Sequence, residues 1–431
     1  MKAQLKSKTS ISEANGDWIP PLTVSYATPS APRGWTWRLL RDVARLESGH
    51  TPSRYRPDWW GGDVPWLALP DIRQLDGRVV NETTEYTNEA GIANSSARIL
   101  PAGTICLSRT ASVGFVTKMG RPMATSQDFV NWVCGPDLDP DFLLHLLIAS
   151  RDYIREQSSG AIHKTVYVPT VKEFRICCPP LAEQKRIAAI LKEQLAAVEH
   201  ARAAAQAQLE AAKALPAAYM REVFDNDDAR AWPKRPLREL CATNGQYGTS
   251  DSACDDPNSG LPVLRMGNLV EGRIDWSDLR YAVLTPEETA KYQLRGGDLV
   301  FNRTNSAELV GKTAVFEGDQ SAVFASYLIR FRIRRDISDP HFVAAFINSR
   351  YGRRFIEDNM SRAIGQVNIS ASTMHTMPIP CPPFEIQRRK SEVIRGCQEG
   401  TQSLRRSIEM RLKEINAMPA SLLRAAFQGR L

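Results

Sequence analysis

The spacing of apolar residues changes character along the chain, and the whole sequence of changes occurs twice. Pro101-Ala102-Gly103 predicts a turn, Thr104-Ile105-Cys106-Leu107 a strand, and Ser108 to Ser112 a polar loop. The same order returns as Gly296-Gly297-Asp298, then Leu299-Val300-Phe301, then Asn302-Arg303-Thr304-Asn305-Ser306. A further strand is predicted after Gly114 and after Gly311. Helical stretches with apolar spacing of three and four follow over Pro140 to Glu156 and Pro340 to Asn359. Such a mixture predicts an α+β domain, present in two copies.

Beyond two proline pairs the pattern becomes that of a long helix. In the second copy the apolar positions run Ile394, Cys397, Thr401, Leu404, Ile408, Leu412, Ile415; the first reads Leu191, Val198, Ala201, Ala205, Leu209, Ala212, Leu215. Pro180 and Pro383 bound the starts, and Pro216 and Pro419 stand near the ends. From Leu181 to Leu215 a helix would span about 50 Å. A seam sustained over that length predicts that the two helices pair as an antiparallel coiled coil. The alternative is that each packs on its own globular domain.

The repeat itself can be measured. Cys178-Pro179-Pro180-Leu181-x-x-Gln184 returns as Cys381-Pro382-Pro383-Phe384-x-x-Gln387, an offset of 203 residues. That offset still holds where Leu215-Pro216-Ala217 and Arg221-x-x-Phe224 match Met418-Pro419-Ala420 and Arg424-x-x-Phe427. Upstream it drifts: Trp35 matches Trp232, Pro65-Trp66-Leu67 matches Pro262-Val263-Leu264, and Ser108-Arg109-Thr110 matches Asn302-Arg303-Thr304. Loop lengths vary in the globular part, then, and the helical part keeps its length. The predicted organisation is a leader (1–34), a globular domain (35–180), a long helix (181–224), a second domain (232–383) and a second long helix (384–427), related by a pseudo-twofold internal repeat.

Charge and composition narrow the function. Among 431 residues Lys+Arg number 55 against Asp+Glu 48, a net charge of +7, which suits a polyanionic partner. No stretch of about 18 apolar residues predicts a membrane span, and Met1 to Ser12 lacks the apolar core of a signal peptide. The eight cysteines form no C-x-x-C pair, which predicts buried thiols in a reducing, cytoplasmic setting and no metal site. Neither of the two Pro-Pro sites after cysteine, 178–180 and 381–383, has the Asn or Asp that an amino-methyltransferase needs. Gly311-Lys312-Thr313 lacks the earlier glycine of a phosphate-binding loop, Ser306 standing there. No catalytic residues are expected in this chain.

Two homologous domains joined by paired helices would contact two half-sites on a duplex, and because the domains differ the half-sites should differ. The candidate DNA contacts lie in the polar loops. Arg109, Thr110 and Ser112 follow a strand in one copy, as Arg303 and Asn305 do in the other; arginine suits bidentate contact with guanine or phosphate. A structural salt bridge or loop-fixing hydrogen bonds are the competing reading for the two arginines. Lys164, beside His163, could meet a phosphate, and Gln366 or Asn368 could read adenine. Arg54, Tyr55 and Arg56 mix basic and aromatic character, with Tyr247 and Thr249 in the matching region. Trp59 and Trp60 read as core and turn. A self-contained DNA-modifying enzyme and a coiled-coil scaffold that binds no DNA are the rival classes.

From about Trp35 to its end the chain resembles the specificity subunits of type I restriction–modification systems. The resemblance is carried by Gly34-Trp35, Gly49-His50-Thr51-Pro52, Asp63-Val64-Pro65-Trp66-Leu67 and the Ser-Arg-Thr loop at 108–110. In the second half it is carried by Leu264-Arg265-Met266-Gly267-Asn268-Leu269, the segment Gly297 to Ser306, and Leu309-Val310-Gly311-Lys312. Pro179 to Gln184 is similar to the opening of the family's spacer helix; the second opening departs from it, reading Glu385-Ile386-Gln387. The resemblance implies two target-recognition domains and a bipartite asymmetric target in double-stranded DNA. It also implies assembly with modification (methyltransferase) subunits, two of them, and with restriction (translocase–nuclease) subunits. Leu181, Gln184, Phe384 and Gln387 would then contact partners. Adenine methylation and cleavage would reside on those partners, with S-adenosylmethionine, ATP and magnesium, and no cofactor in this chain.

Overall fold

The computed structural model describes residues 18–25, 28–160, 164–318, 320–363 and 366–431. Most of the predicted leader lies outside them. The chain divides into two compact units, residues 1–204 with 412–431, and residues 205–411.

The first unit is built on a five-stranded sheet in the order Ala44–Ser48, Phe129–Cys134, Ile105–Ser108, Val116–Met119, Val79–Val80, antiparallel except for the last pair. All four residues of Ile105–Ser108 are buried, because this central strand is covered on both faces. A smaller sheet sets Trp60–Leu67 antiparallel to Glu85–Thr87 and parallel to Ala124–Thr125. A third pairs Arg175–Cys178 with both Leu22–Thr23 and Thr36–Leu39.

The second unit repeats this plan. Its main sheet runs Gln246–Tyr247, Leu328–Arg332, Asp298–Asn302, Thr313–Val315. Its smaller sheet again joins one antiparallel and one parallel pair, Leu261–Leu264 with Arg280–Ala282 and with Val323–Phe324. The strand expected at Thr104 to Leu107 is shifted by one residue, to Ile105–Ser108. Each helical stretch after Asp-Pro divides in two at a serine. Pro140–Ala149 and Arg151–Glu156 flank Ser150; Pro340–Asn348 and Arg350–Asn359 flank Ser349, whose extended backbone ends one helix while its hydroxyl caps the next.

The two long helices are Leu181–Phe224 and Phe384–Phe427, 44 residues each. Both run through their internal prolines, Pro216 and Pro419, and do not end near them. The lost N–H and the ring clash are offset by the last turns, where Val223, Phe224, Leu423, Ala426 and Phe427 are all buried. Buried positions recur every seven residues: Gln184, Leu191, Val198, Ala205, Ala212 in the first helix and Gln387, Ile394, Thr401, Ile408, Ile415 in the second. Leu404, expected on the seam, is 46% exposed. Beside the row of Ile394 and its successors, Cys397 and Leu412 are half-buried as expected, and Arg405 takes the place expected for Leu404. Arg405 and its counterpart Arg202 each bury their Nε there.

Each unit's core contains the start of one long helix and the end of the other. In the first, Ile187, Ala188 and Leu191 share a core with Leu423, Ala426 and Phe427, whose ring meets Phe142 at 5.4 Å. In the second, Ile394 shares a core with Val223 and Phe224, and Phe224 meets Phe342 at 5.3 Å. The helices are therefore antiparallel, and each also packs on globular elements, so both packings weighed from the sequence occur together.

Candidate nucleic-acid interface

Two loops that are distant in sequence come together in each unit. In the first, Thr110 bridges to Thr165, and Thr165 bridges in turn to Ser159. The Val166 N–H donates to the Arg109 carbonyl at 2.9 Å, and the Ala111 N–H to the Lys164 carbonyl at 3.1 Å. In the second, Thr304–Asn305 pairs with Gln366–Asn368, which pairs with Ser361–Ala363. The Ile369 N–H donates to the Arg303 carbonyl at 3.0 Å. Thr304 additionally hydrogen-bonds Asn368 through its hydroxyl. Thr110 with Thr165 thus matches Thr304 with Asn368, and the sequence-derived candidates on the two loops form one small platform per unit.

Lys164 and Gln366 stand exposed at these platforms; Asn305 and Asn368 are half-buried. Asn305 donates from Nδ2 to the Met266 sulfur at 3.0 Å and accepts from Ser306. His163 lies outside the described residues. Arg109 and Arg303 are half-buried, and in both the Nε is buried with no acceptor among the described residues. Arg303 also lies over the Tyr247 ring, 4.8 Å from its centroid, and the Tyr247 hydroxyl accepts the Ala371 N–H at 3.2 Å.

A second edge of the candidate interface is held by a backbone approach that only glycine allows. A Cβ on Gly49 would fall 1.9 Å from the Ser126 carbonyl oxygen, and one on Gly248 would fall 2.0 Å from that of Phe324. This makes Gly49 and Gly248 structural counterparts. Tyr247 accordingly corresponds to Ser48, and Arg54, Tyr55 and Arg56 belong to a stretch beyond the Tyr247–Thr249 region.

That stretch is tied down on both sides of an exposed aromatic. Arg54 makes a two-pronged ion pair with Glu85 (2.5 and 2.8 Å) and lies 3.9 Å over the Trp60 ring, which meets Trp66 edge-on at 4.9 Å. The Arg54 hydrogen bond holds the Glu85 carboxyl below its usual range. Arg56 pairs with Asp58 at 2.7 and 2.9 Å and covers Trp59. Both guanidinium groups, read from the sequence as DNA contacts, therefore already have carboxylate partners. Tyr55 between them is 95% exposed. Trp59 and Trp60 serve as surfaces for these arginines.

Other candidates are turned inward. Ser112 is 5% exposed, accepts from Arg73 Nε at 3.0 Å and closes its loop through its carbonyl, bonded by the Ser108 hydroxyl. Thr249 is 3% exposed and bonds Asp251. Gln184 and Gln387, expected to face partners, are 2% and 1% exposed. Gln184 accepts from the Asp139 N–H and donates to the Pro179 and Asp137 carbonyls. Gln387 accepts from the Asp339 N–H and the Ser338 hydroxyl and donates to the Pro382 carbonyl at 2.8 Å. Their amides are consumed in fixing each helix to its domain. Leu181 is half-buried, and Phe384 is 38% exposed.

The sequence reading missed Arg73, which supports the first platform's loop, and Glu85, which anchors Arg54; no local signal marked either. Thr313 is buried in the strand after Gly311, so Lys312-Thr313 opens a strand and not the helix a phosphate loop requires. The Cys177 and Cys178 thiols are pushed up to about 12 by burial, which keeps them protonated. Among the described residues no group of three His, Cys, Asp or Glu side chains could hold a metal ion, and no helix is long and apolar enough to cross a membrane.

Comparison with known proteins agrees with this duplicated plan. The family "Type I restriction modification DNA specificity domain" matches twice, over residues 32–211 and 230–410. The chain is 26% identical to the type I restriction enzyme EcoKI specificity subunit of Escherichia coli K12, over 93% of this chain and 90% of that one. It is 28% identical to the MjaIX specificity subunit of Methanocaldococcus jannaschii, over 37% of this chain and 38% of that subunit. Among solved structures, a chain from a study of complex assembly and conformational transition of the type I R-M system superposes with a TM-score of 0.68. That chain shares 20% identity, over 94% of this chain and 100% of its own length. With two matches of one family covering most of its length, the chain belongs to the DNA-specificity subunits of type I restriction–modification systems, which recognise the DNA target and carry no catalysis themselves.

Proposed function

We propose that this chain reads a bipartite, asymmetric target in double-stranded DNA and directs adenine methylation or cleavage by partner subunits. Residues 35–180 and 232–383 act as the two target-recognition domains, and helices 181–224 and 384–427 set the distance between half-sites. The observation that carries this reading is the platform built twice on one plan, Thr110 against Thr165 and Thr304 against Asn368. A duplicated platform with different side chains suits two different half-sites.

At the first half-site the contacts come from Arg109, Thr110, Lys164 and Tyr55, and at the second from Arg303, Asn305, Gln366, Asn368 and Tyr247. Ser112 and Thr249 support these loops from behind, and Arg54 and Arg56 hold the stretch that presents Tyr55. Two modification subunits and the restriction subunits bind the chain, with Leu181 and Phe384 among the residues offered to them. S-adenosylmethionine, ATP and magnesium belong to those partners, and the assembly works in the cytoplasm.

The test is a gel-retardation assay with the chain and its methyltransferase partner. One bipartite duplex should be retarded in preference to scrambled DNA of equal length. Equal retardation of both would contradict the reading of a specific target, and retardation of neither would leave the chain a scaffold that binds no DNA.

A further inference from the structure

We propose that Arg109 and Arg303 are the sequence-independent register contacts of the two half-sites, each gripping a DNA backbone phosphate, while bases are read by the side chains beside them. The proposal rests on the DNA-reading function above and divides its labour between two kinds of residue.

Backbone geometry fixes where these arginines stand. The Arg109 N–H donates to the Asp128 carbonyl at 2.8 Å, and its carbonyl accepts from Val166 at 2.9 Å. The Arg303 N–H donates to the Tyr327 carbonyl at 3.2 Å, and its carbonyl accepts from Ile369 at 3.0 Å. Each arginine is thus pinned on both sides of the main chain, between the central sheet and the platform.

The guanidinium groups lack what their neighbours possess. Arg54, Arg56, Arg151 and Arg332 each hold a carboxylate within 2.9 Å. Arg109 and Arg303 have no carboxylate partner among the described residues, and both leave a buried Nε without an acceptor. The buried Nε is closed to solvent, as it also is in the carboxylate-paired Arg202, Arg265 and Arg405. What sets Arg109 and Arg303 apart is a half-buried cation without a carboxylate, whose terminal nitrogens an incoming phosphate would fit. This also disposes of the structural salt bridge as the reason for these residues.

The duplication decides between phosphate and base. Arginine stands at this place in both units, whereas its surroundings differ: Thr165 against Asn368, Lys164 against Val367, Ala111 against Asn305. A residue common to two domains that read different sequences cannot be what distinguishes those sequences. Contacts to phosphate position the protein and carry no sequence information. Among the residues that differ, the accessible Lys164, Thr165, Asn305 and Asn368 are the ones able to discriminate, Val367 being buried.

The test uses the chain in complex with its methyltransferase subunit, on the target duplex and on scrambled DNA, over a range of salt concentrations. Arg109→Ala and Arg303→Ala should each lower affinity for both duplexes by a similar factor, roughly tenfold. Each should also reduce the slope of log affinity against log salt by about 0.9, and the methylated sequence should not change. Arg109→Lys and Arg303→Lys, which keep the charge, should retain that slope. A loss confined to the target duplex, or relaxed specificity at one base pair with an unchanged slope, would overturn the proposal. So would wild-type affinity in both alanine variants. A wild-type complex that ignores the bipartite duplex would instead sink the broader reading before any variant is made.

Discussion

The side-chain carbonyl of Gln184 accepts the backbone N–H of Asp139 at 2.9 Å, and that of Gln387 accepts the N–H of Asp339 at 3.1 Å, so each long helix is fastened to its domain by the same amide. Both aspartates also cap the following helix, accepting the N–H of Phe142 and of Phe342 at 2.9 Å. Replacing either glutamine by alanine strands buried N–H and carbonyl groups. We expect a loss of about 1–3 kcal/mol for each, read as a lower urea midpoint. A midpoint unchanged in both variants would mean that the amides do not carry the junction.

In the second unit, Asp298 is buried against Arg332, at 2.8 and 2.9 Å, with Arg330 3.9 Å away. Burial holds the Arg330 pKa below its ordinary value. Asp298→Ala leaves the buried Arg330 and the half-buried Arg332 without a carboxylate and should cost about 3–5 kcal/mol. Denaturant unfolding measures this, and a loss below about 1 kcal/mol would rule out a network that holds the core together.

Stability should fall as the medium is acidified from pH 7.5 to 5.5. Burial depresses the pKa of His145, of His341 and of His375 in the folded chain. Below about 6.5 the unfolded chain therefore takes up protons that the folded chain refuses. The contribution is fully present above the unfolded pKa and is lost as pH drops through it toward the lower folded value. Melting curves across this window should show the decline, and His145→Leu combined with His341→Leu and His375→Leu should flatten it. An equally steep decline in the triple variant would assign the effect elsewhere.

Arg54 organises the stretch around Tyr55 more than it stabilises the fold. Its ion pair is largely solvent-screened, so Arg54→Ala should cost no more than about 1 kcal/mol. Releasing Trp60 and Glu85 should nevertheless loosen the backbone at Tyr55. Chymotrypsin should then cut after Tyr55 on the order of a few times faster, and an unchanged cleavage rate would contradict the anchoring role.

The duplication, the long helices and the strands next to Arg109 and Arg303 were legible because each leaves a local signal: a fixed offset, a sustained apolar spacing, a turn before an apolar run. Pairings across the chain left none. Nothing near Arg54 announces Glu85, and nothing in Ser108 to Ser112 announces Thr165. The family resemblance of the helix openings assigns Gln184 and Gln387 to partners; their burial depends in part on backbone groups more than forty residues away. Leu404 shows the limit of apolar spacing on a helix, since the seam accepted Arg405 in its place. Gly49 and Gly248 could be matched only through the carbonyls that crowd them.

Two homologous units that each read one half of the target would leave their mark on DNA, and mapping methylated adenines in cells reads that mark. Cells would carry the methyltransferase partner with either this chain or a chimera whose residues 35–180 come from another specificity subunit. A two-part motif is expected, in which the exchange alters one half and leaves the other half and the spacing as they were. A motif that changes in both halves, or an undivided motif, would contradict this reading.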